Sequence, residues 1–179
     1  MSEIEPLTDT DIMQLMTKYN IPVKFIMYHD IKYHAEDLID MLPCIILYEL
    51  NHPIGHWVAL FKNDEGLQYF DPTGGEPDEV LVKHFRNPFG RAALNADRTY
   101  ILEWMDNNFP EIIFNEVELQ PPNTNTCGYW VAVRLVFHRS TQDEFASAFN
   151  FIPTTSLQHV IVDIFDTLME EPIIVQIIN

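Results

Sequence analysis

Residues 44–75, CIILYELNHPIGHWVALFKNDEGLQYFDPTGG, decide the fold. They contain three runs rich in β-branched and aromatic types: residues 44–50 (CIILYEL), 56–61 (HWVALF) and 67–70 (LQYF). Such side chains suit a pleated, half-buried surface, and the runs read as strands. Residues 51–55, with Pro53 and Gly55, separate the first two, and residues 63–66 (NDEG) turn the chain between the second and third. Connections this short join antiparallel neighbours, because a parallel pair needs a long crossover. Asp71-Pro72-Thr73-Gly74-Gly75 then ends the third strand in a tight loop.

The flanks read mostly as helices. Residues 8–19 predict a helix with Thr8, Asp9 and Thr10 offering N-cap oxygens and Ile12, Leu15, Met16 and Tyr19 on one face. Pro22 stops it, residues 23–27 read as a short strand, and residues 34–42 predict a helix with Leu38 and Leu42 one turn apart. Residues 77–108 read as helical, interrupted at Pro88-Phe89-Gly90, and residues 112–119 (IIFNEVEL) as a fourth strand. Residues 120–126 (QPPNTNT) form a loop, since Pro121 and Pro122 cannot donate to a ladder. Residues 127–139 predict a buried helix with Thr126 as its N-cap and Tyr129, Val133 and Val136 or Phe137 at apolar spacing. Helices at about 141–149 and 155–169 follow; Ile161, Ile164, Phe165 and Leu168 form a core or partner stripe in the second. Residues 172–178 (PIIVQII) read first as an edge strand completing the sheet and second as a partner contact. Helices that flank a central run of strands, without alternating strictly with them, predict an α+β fold, a single domain over residues 1–179.

Composition narrows the function. The 179 residues carry 10 Lys plus Arg against 27 Asp plus Glu, a net charge of −17. That argues against broad nucleic-acid or anionic-membrane binding, which needs clustered basic side chains. Lys83, Arg86, Arg91 and Arg98 form the one basic cluster, read as a solvated helix face. With only Cys44 and Cys127, no disulfide framework is expected. The acidic start MSEIEPLTDTD lacks the apolar stretch of a signal peptide, and no run approaches the ~18 apolar residues of a membrane span. Phosphate-loop, CxxC and HExxH patterns are missing from the sequence, so no metal or cofactor is expected.

Four residues fall at element ends in the order His, Asp, Gln, Cys. His56 opens a strand, Asp71 closes a later one, Gln120 closes the fourth, and Cys127 follows seven residues on at a helix start. Taken singly, each has an ordinary reading: a small buried thiol, a strand histidine, a turn aspartate, a loop glutamine. Together they fit thiol catalysis. A thiolate is the nucleophile, and a helix N-terminus favours an anion at Cys127. An imidazolium at His56 would stabilise that thiolate and protonate a leaving amine. Asp71 would accept the other imidazole N–H, while Gln120 and the Cys127 backbone N–H would donate to an oxyanion. Gly128 would leave room for a substrate backbone beside the nucleophile.

These residues resemble a known family. Gly55-His56-Trp57-Val58-Ala59-Leu60-Phe61, Tyr69-Phe70-Asp71-Pro72-Thr73-Gly74-Gly75 and Gln120-(six residues)-Cys127-Gly128-Tyr129-Trp130 look like the adenain and Ulp-type cysteine proteases, over about residues 43–139. The likeness is greatest to the adenovirus-like branch, especially the maturation proteases of virophages and Polinton-type elements. The interval of seven from Gln120 to Cys127 matches that branch. The SUMO-deconjugating branch has a shorter interval and an Asp directly before the Cys, where this chain has Thr126. The resemblance implies a papain-like core in permuted order, with His56 as base and acid, Asp71 as orienter, Gln120 as oxyanion donor and Cys127 as nucleophile. Trp57 would pack beside the site. Implied substrates are viral capsid or core precursor proteins, cut in the virion or host cytoplasm, often after small residues that fit a narrow cleft, by an enzyme expected to be a monomer.

The chain departs from the adenovirus pattern in two respects. Its −17 charge argues against activation by DNA. No cysteine lies between Asp71 and Cys127, and Cys44 sits inside an apolar strand, so a disulfide-linked peptide cofactor is not expected. An isopeptidase removing a ubiquitin-like modifier would use the same four residues and is the first alternative. A non-catalytic binding module is the second.

Overall fold

The computed structural model describes residues 4–51, 54–85, 91–92, 97–111 and 113–170. The three central runs form strands β2 (Cys44–Asn51), β3 (Ile54–Asn63) and β4 (Gly66–Phe70), paired antiparallel as their short connections predict. Two outer strands, β1 (Lys24–Met27) and β5 (Ile113–Phe114), add in parallel to β2 and β4. The result is a mixed five-stranded sheet in the order β1-β2-β3-β4-β5, flanked by helices: an α+β fold.

Alternation along the strands builds two cores, because successive side chains point to opposite faces. Ile45, Ala59, Phe61 and Phe70 face one core, shared with α1 (Asp9–Lys18), α5 (Cys127–Val136), α6 (Gln142–Ser147) and α7 (Thr154–Glu170). Ile46, Tyr48, Val58, Leu60 and Tyr69 face the other, shared with the one-turn helix α2 (Ile31–His34), α3 (Glu79–His84) and α4 (Tyr100–Asn108). The helix α5 is buried from Cys127 through Leu135, as an all-round apolar helix must be. It packs against β3, α1 and α7, which fixes its first turn beside the sheet. Near its end, the fully buried Arg134 donates to the Phe137 and Ser140 carbonyls at 2.7 and 2.9 Å and stacks on Phe61 and Phe145.

Several elements follow the sequence closely. Thr8 caps α1 through a reciprocal pair with Asp11, and Ile161 and Phe165 of the predicted stripe are buried in α7. Others differ. The helix expected over residues 34–42 is replaced by α2 and a 3₁₀ turn at Leu38–Met41, because Leu42 precedes Pro43 and is driven to extended backbone. The strand expected over residues 112–119 pairs only at Ile113–Phe114; Asn115 turns out of the ladder to bind the Asp71 backbone. Ile112, the interruption at Pro88-Phe89-Gly90 and the strand expected over residues 172–178 lie outside the described residues. Among the described residues, no helix is long and apolar enough to cross a membrane.

Candidate active site

The structure brings His56, Asp71 and Cys127 together. His56 lies near the start of β3, opposite Tyr48 of β2. Asp71 follows β4 directly, and its Oδ1 lies 2.8 Å from His56 Nε2. Both side chains are almost wholly buried. With Nε2 committed to Asp71, the imidazole presents Nδ1 as its other hydrogen-bonding atom, and the ring is hydrogen-bonded to Cys127. Cys127 is the first residue of α5, where the leading N–H groups lack intrahelical partners.

The surroundings of Asp71 hold it in place. Its Oδ1 accepts from the Thr73 amide at 2.8 Å and the Thr73 hydroxyl at 2.7 Å. Its backbone is clamped by Asn115: the Asp71 N–H donates to Asn115 Oδ1 at 2.9 Å, and Asn115 Nδ2 donates to the Asp71 carbonyl at 2.6 Å. The turn after it is tight. Gly74 has φ +70, and a Cβ there would lie 2.9 Å from the Glu116 carbonyl oxygen, so only glycine fits the approach. The Pro72 carbonyl in this turn accepts from the Leu119 and Gln120 amides at 2.9 and 2.8 Å, which ties the Gln120 segment to the Asp71 loop.

Gln120 is buried and lines the same cavity, of about 440 Å³, as His56, Cys127 and Thr73. Its Nε2 donates to the Thr124 carbonyl at 2.8 Å, which leaves the second N–H of that nitrogen for another acceptor. Its Oε1 is buried without a hydrogen-bond partner among the described residues.

The charges in this group are strongly coupled. Burial alone would lower the His56 pKa, but the Asp71 carboxylate and the Cys127 sulfur raise it to about 10. Burial would push the Cys127 thiol up; the His56 charge and backbone hydrogen bonds from Trp57 and Gly128 outweigh this and hold it below the ordinary cysteine value. Burial would likewise raise Asp71, and the His56 charge and both Thr73 bonds hold it below the usual carboxylate range. The arrangement favours a thiolate–imidazolium pair oriented by a carboxylate.

Three sequence expectations change in detail. Thr126 occupies the N-cap position of α5, but its side chain does not cap; its hydroxyl lies 3.2 Å from that of Thr124. The Gly128 amide of that uncapped turn reaches the Cys127 sulfur instead. The space at Gly128 is not open: a Cβ there would lie 3.0 Å from Leu7 Cβ and 3.4 Å from Trp57 Cδ1. The basic residues do not form one solvated face. Lys83 donates to the Gly74 carbonyl at 2.7 Å, Arg91 pairs with Asp97 at 2.7 Å, and Arg98 stacks on Tyr28 and Tyr100; Arg86 lies outside the described residues. Cys44 is fully buried, and burial pushes its thiol up to about 12. Among the described residues, no group of three or more His, Cys, Asp and Glu side chains is arranged to hold a metal ion.

Sequence reading missed Asn115, which sits inside the expected fourth strand and carries no local mark of its role. It also missed Pro6 and His84, which line the cavity from the N-terminal segment and from the end of α3.

No known protein-family profile matches the chain. Over 139 residues it is 28% identical to uncharacterized protein V9 of Sputnik virophage, covering 73% of this chain and 75% of that one. It is also similar to the SUMO protease Ulp1 with its catalytic cysteine oxidized to a sulfonic acid, at 18% identity and a TM-score of 0.41, over 92% of this chain and 80% of that one. The C-terminal Ulp1 protease domain in complex with Smt3, the yeast ortholog of SUMO, matches at 17% identity and a TM-score of 0.39, over 92% and 79% of the two chains.

Proposed function

We propose that this protein is a cysteine protease that cleaves viral capsid or core precursor proteins. The observation that carries the reading is that Cys127, His56 and Gln120 line one cavity, with Asp71 buried behind the His56 ring at 2.8 Å. The viral substrate class is favoured by the likeness to a virophage protein and by the resemblance of the sequence motifs.

The chemistry follows from the geometry. The Cys127 thiolate attacks the scissile carbonyl carbon, a C–S bond forms, and the carbonyl oxygen becomes an oxyanion. The free N–H of Gln120 Nε2 and the Cys127 amide stabilise that oxygen. Collapse breaks the C–N bond while the His56 imidazolium gives its proton to the leaving amine. His56, now neutral, takes a proton from water, and the hydroxide attacks the thioester. The acid product leaves and Cys127 returns as thiolate. Asp71 remains ionised, fixing the ring so that one nitrogen faces the sulfur.

The test is cleavage of a proteome-derived peptide library, with new N-termini read by mass spectrometry for wild type and Cys127→Ala. New N-termini from wild type alone support a protease, and their sequence pattern can then be matched to capsid precursors. No cleavage by either overturns the reading. A covalent adduct with a SUMO or ubiquitin vinyl sulfone, without library cleavage, would replace it with the isopeptidase reading.

A further inference from the structure

We infer that residues 4–7 form a wall of the catalytic cleft that sets how large a group can reach Cys127. This rests on the proposed role of Cys127 as nucleophile and concerns what that nucleophile can admit.

The N-terminal segment is anchored from both ends of this short stretch. Tyr129 Oη, on α5 two residues beyond Cys127, donates to the Glu5 carbonyl at 3.1 Å. Ile4 and Leu7 pack against the core, and the Thr8–Asp11 capping pair fixes the entry into α1. Between these anchors Pro6 lines the cavity that also holds His56, Gln120 and Cys127. Leu7 Cβ occupies the place against which a side chain at Gly128 would press, so the missing Cβ there serves close approach of this segment. The nucleophile itself is only 7% exposed.

Pro6 suits a wall. Its ring fixes φ and it has no N–H, so it offers a rigid apolar surface and no donor for pairing with an extended peptide. A substrate passing Cys127 therefore meets a rigid apolar surface at Pro6, whose own nitrogen cannot donate to it. The segment that sets this limit, residues 4–7, lies outside the motifs around His56, Asp71 and Cys127.

The test compares alkylation of Cys127 by iodoacetamide, a small reagent, with fluorescein-5-maleimide, a bulky one, both read by peptide mass spectrometry. The full-length variants are Pro6→Gly, Pro6→Trp and Tyr129→Phe. The bulky-to-small rate ratio is expected to rise about tenfold in Pro6→Gly and Tyr129→Phe and to fall in Pro6→Trp, with the iodoacetamide rate unchanged. A purely structural role for the segment would shift melting temperature without moving this ratio. An unchanged ratio in all three variants overturns the proposal. Slow iodoacetamide labelling of wild-type Cys127 would instead count against the thiolate reading, and the ratio between reagents would still be measurable.

Discussion

The strand around Cys44 and the first turn of α5 around Cys127 both bury a thiol, yet they drive it in opposite directions. Cys44 lies on β2, paired with Leu60 and packed in the core with Ile46 and Val58. Burial dominates there and pushes its thiol up to about 12, despite a hydrogen bond from the Leu60 backbone. Cys127 is buried too, but at an element end, with His56, two backbone hydrogen bonds and the start of a helix around it, and its thiol is lowered. Burial therefore does not decide reactivity. What matters is whether the low-dielectric site also holds a partner charge and donors fixed at the sulfur.

Removing the partner should erase the difference. His56→Ala leaves Cys127 with burial and backbone donors only, so its thiol should move toward that of Cys44. At neutral pH its iodoacetamide rate should fall at least about 10–100-fold, as the thiolate fraction drops to that of an ordinary cysteine or below it. On the proposed mechanism peptide hydrolysis should fall further, by about 10³-fold, because the variant would also lack the proposed general acid–base. Cys44 should stay unlabelled in both proteins. Equal labelling of Cys127 in wild type and variant would show that His56 does not form the thiolate. Gln120→Ala sharpens the comparison by separating activation from catalysis. It should lower kcat by about 10²–10³-fold, the usual cost of one oxyanion donor, while leaving the alkylation rate of Cys127 unchanged. A parallel fall in alkylation would place Gln120 in the support of the thiolate instead.

The same contrast separates what the sequence reveals from what it hides. Strands β2 to β4 were legible because their β-forming runs are bounded by strong turn signals, and α5 because it is apolar all round. His56, Asp71 and Cys127 were legible because each sits at such a boundary, where elements converge. The supports were not, because they act across the chain. Asn115 clamps the Asp71 backbone from 44 residues away. Asp78, at φ +69, accepts from Tyr48 and from the Ile101 and Leu102 amides, so the cap of α4 comes from 23 residues upstream of Ile101. The Trp57 amide on the sulfur belongs to a strand residue whose side chain gives no hint of it. Such contacts leave no periodicity and no local motif, so only the folded chain shows them.

The paired charges also set how stability depends on pH. His56 is raised from 6.5 to about 10, so its contribution is complete below pH 6.5 and is lost as pH rises through about 10. Asp71 is lowered from 3.8, so its contribution is present above that pH and is lost as pH falls through its folded value. Melting temperature should therefore hold a plateau between these limits and decline on both sides. In His56→Ala the alkaline decline should be weaker, because the raised group is gone. An identical alkaline limb in both proteins would assign that loss of stability to other groups.

The smallest effect belongs to the other thiol. Cys44→Ala removes one sulfur from a fully buried site and leaves a void about the size of a methyl group. Losses of that size cost about 1 kcal/mol, or about 2–4 °C in melting temperature for a chain of this length. Hydrolysis and Cys127 alkylation should not change, because Cys44 packs in the core on the face of the sheet opposite the one shared with α5. Cys44→Ser makes the same point more severely. Its hydroxyl is more strongly hydrated than a thiol, so burying it costs more, and the Leu60 amide offers only one hydrogen bond in return. Cys44→Ser should therefore melt below Cys44→Ala while both keep wild-type activity. A change in Cys127 reactivity in either variant would mean that the two cores are coupled through the sheet, and that the difference between the thiols is not set locally.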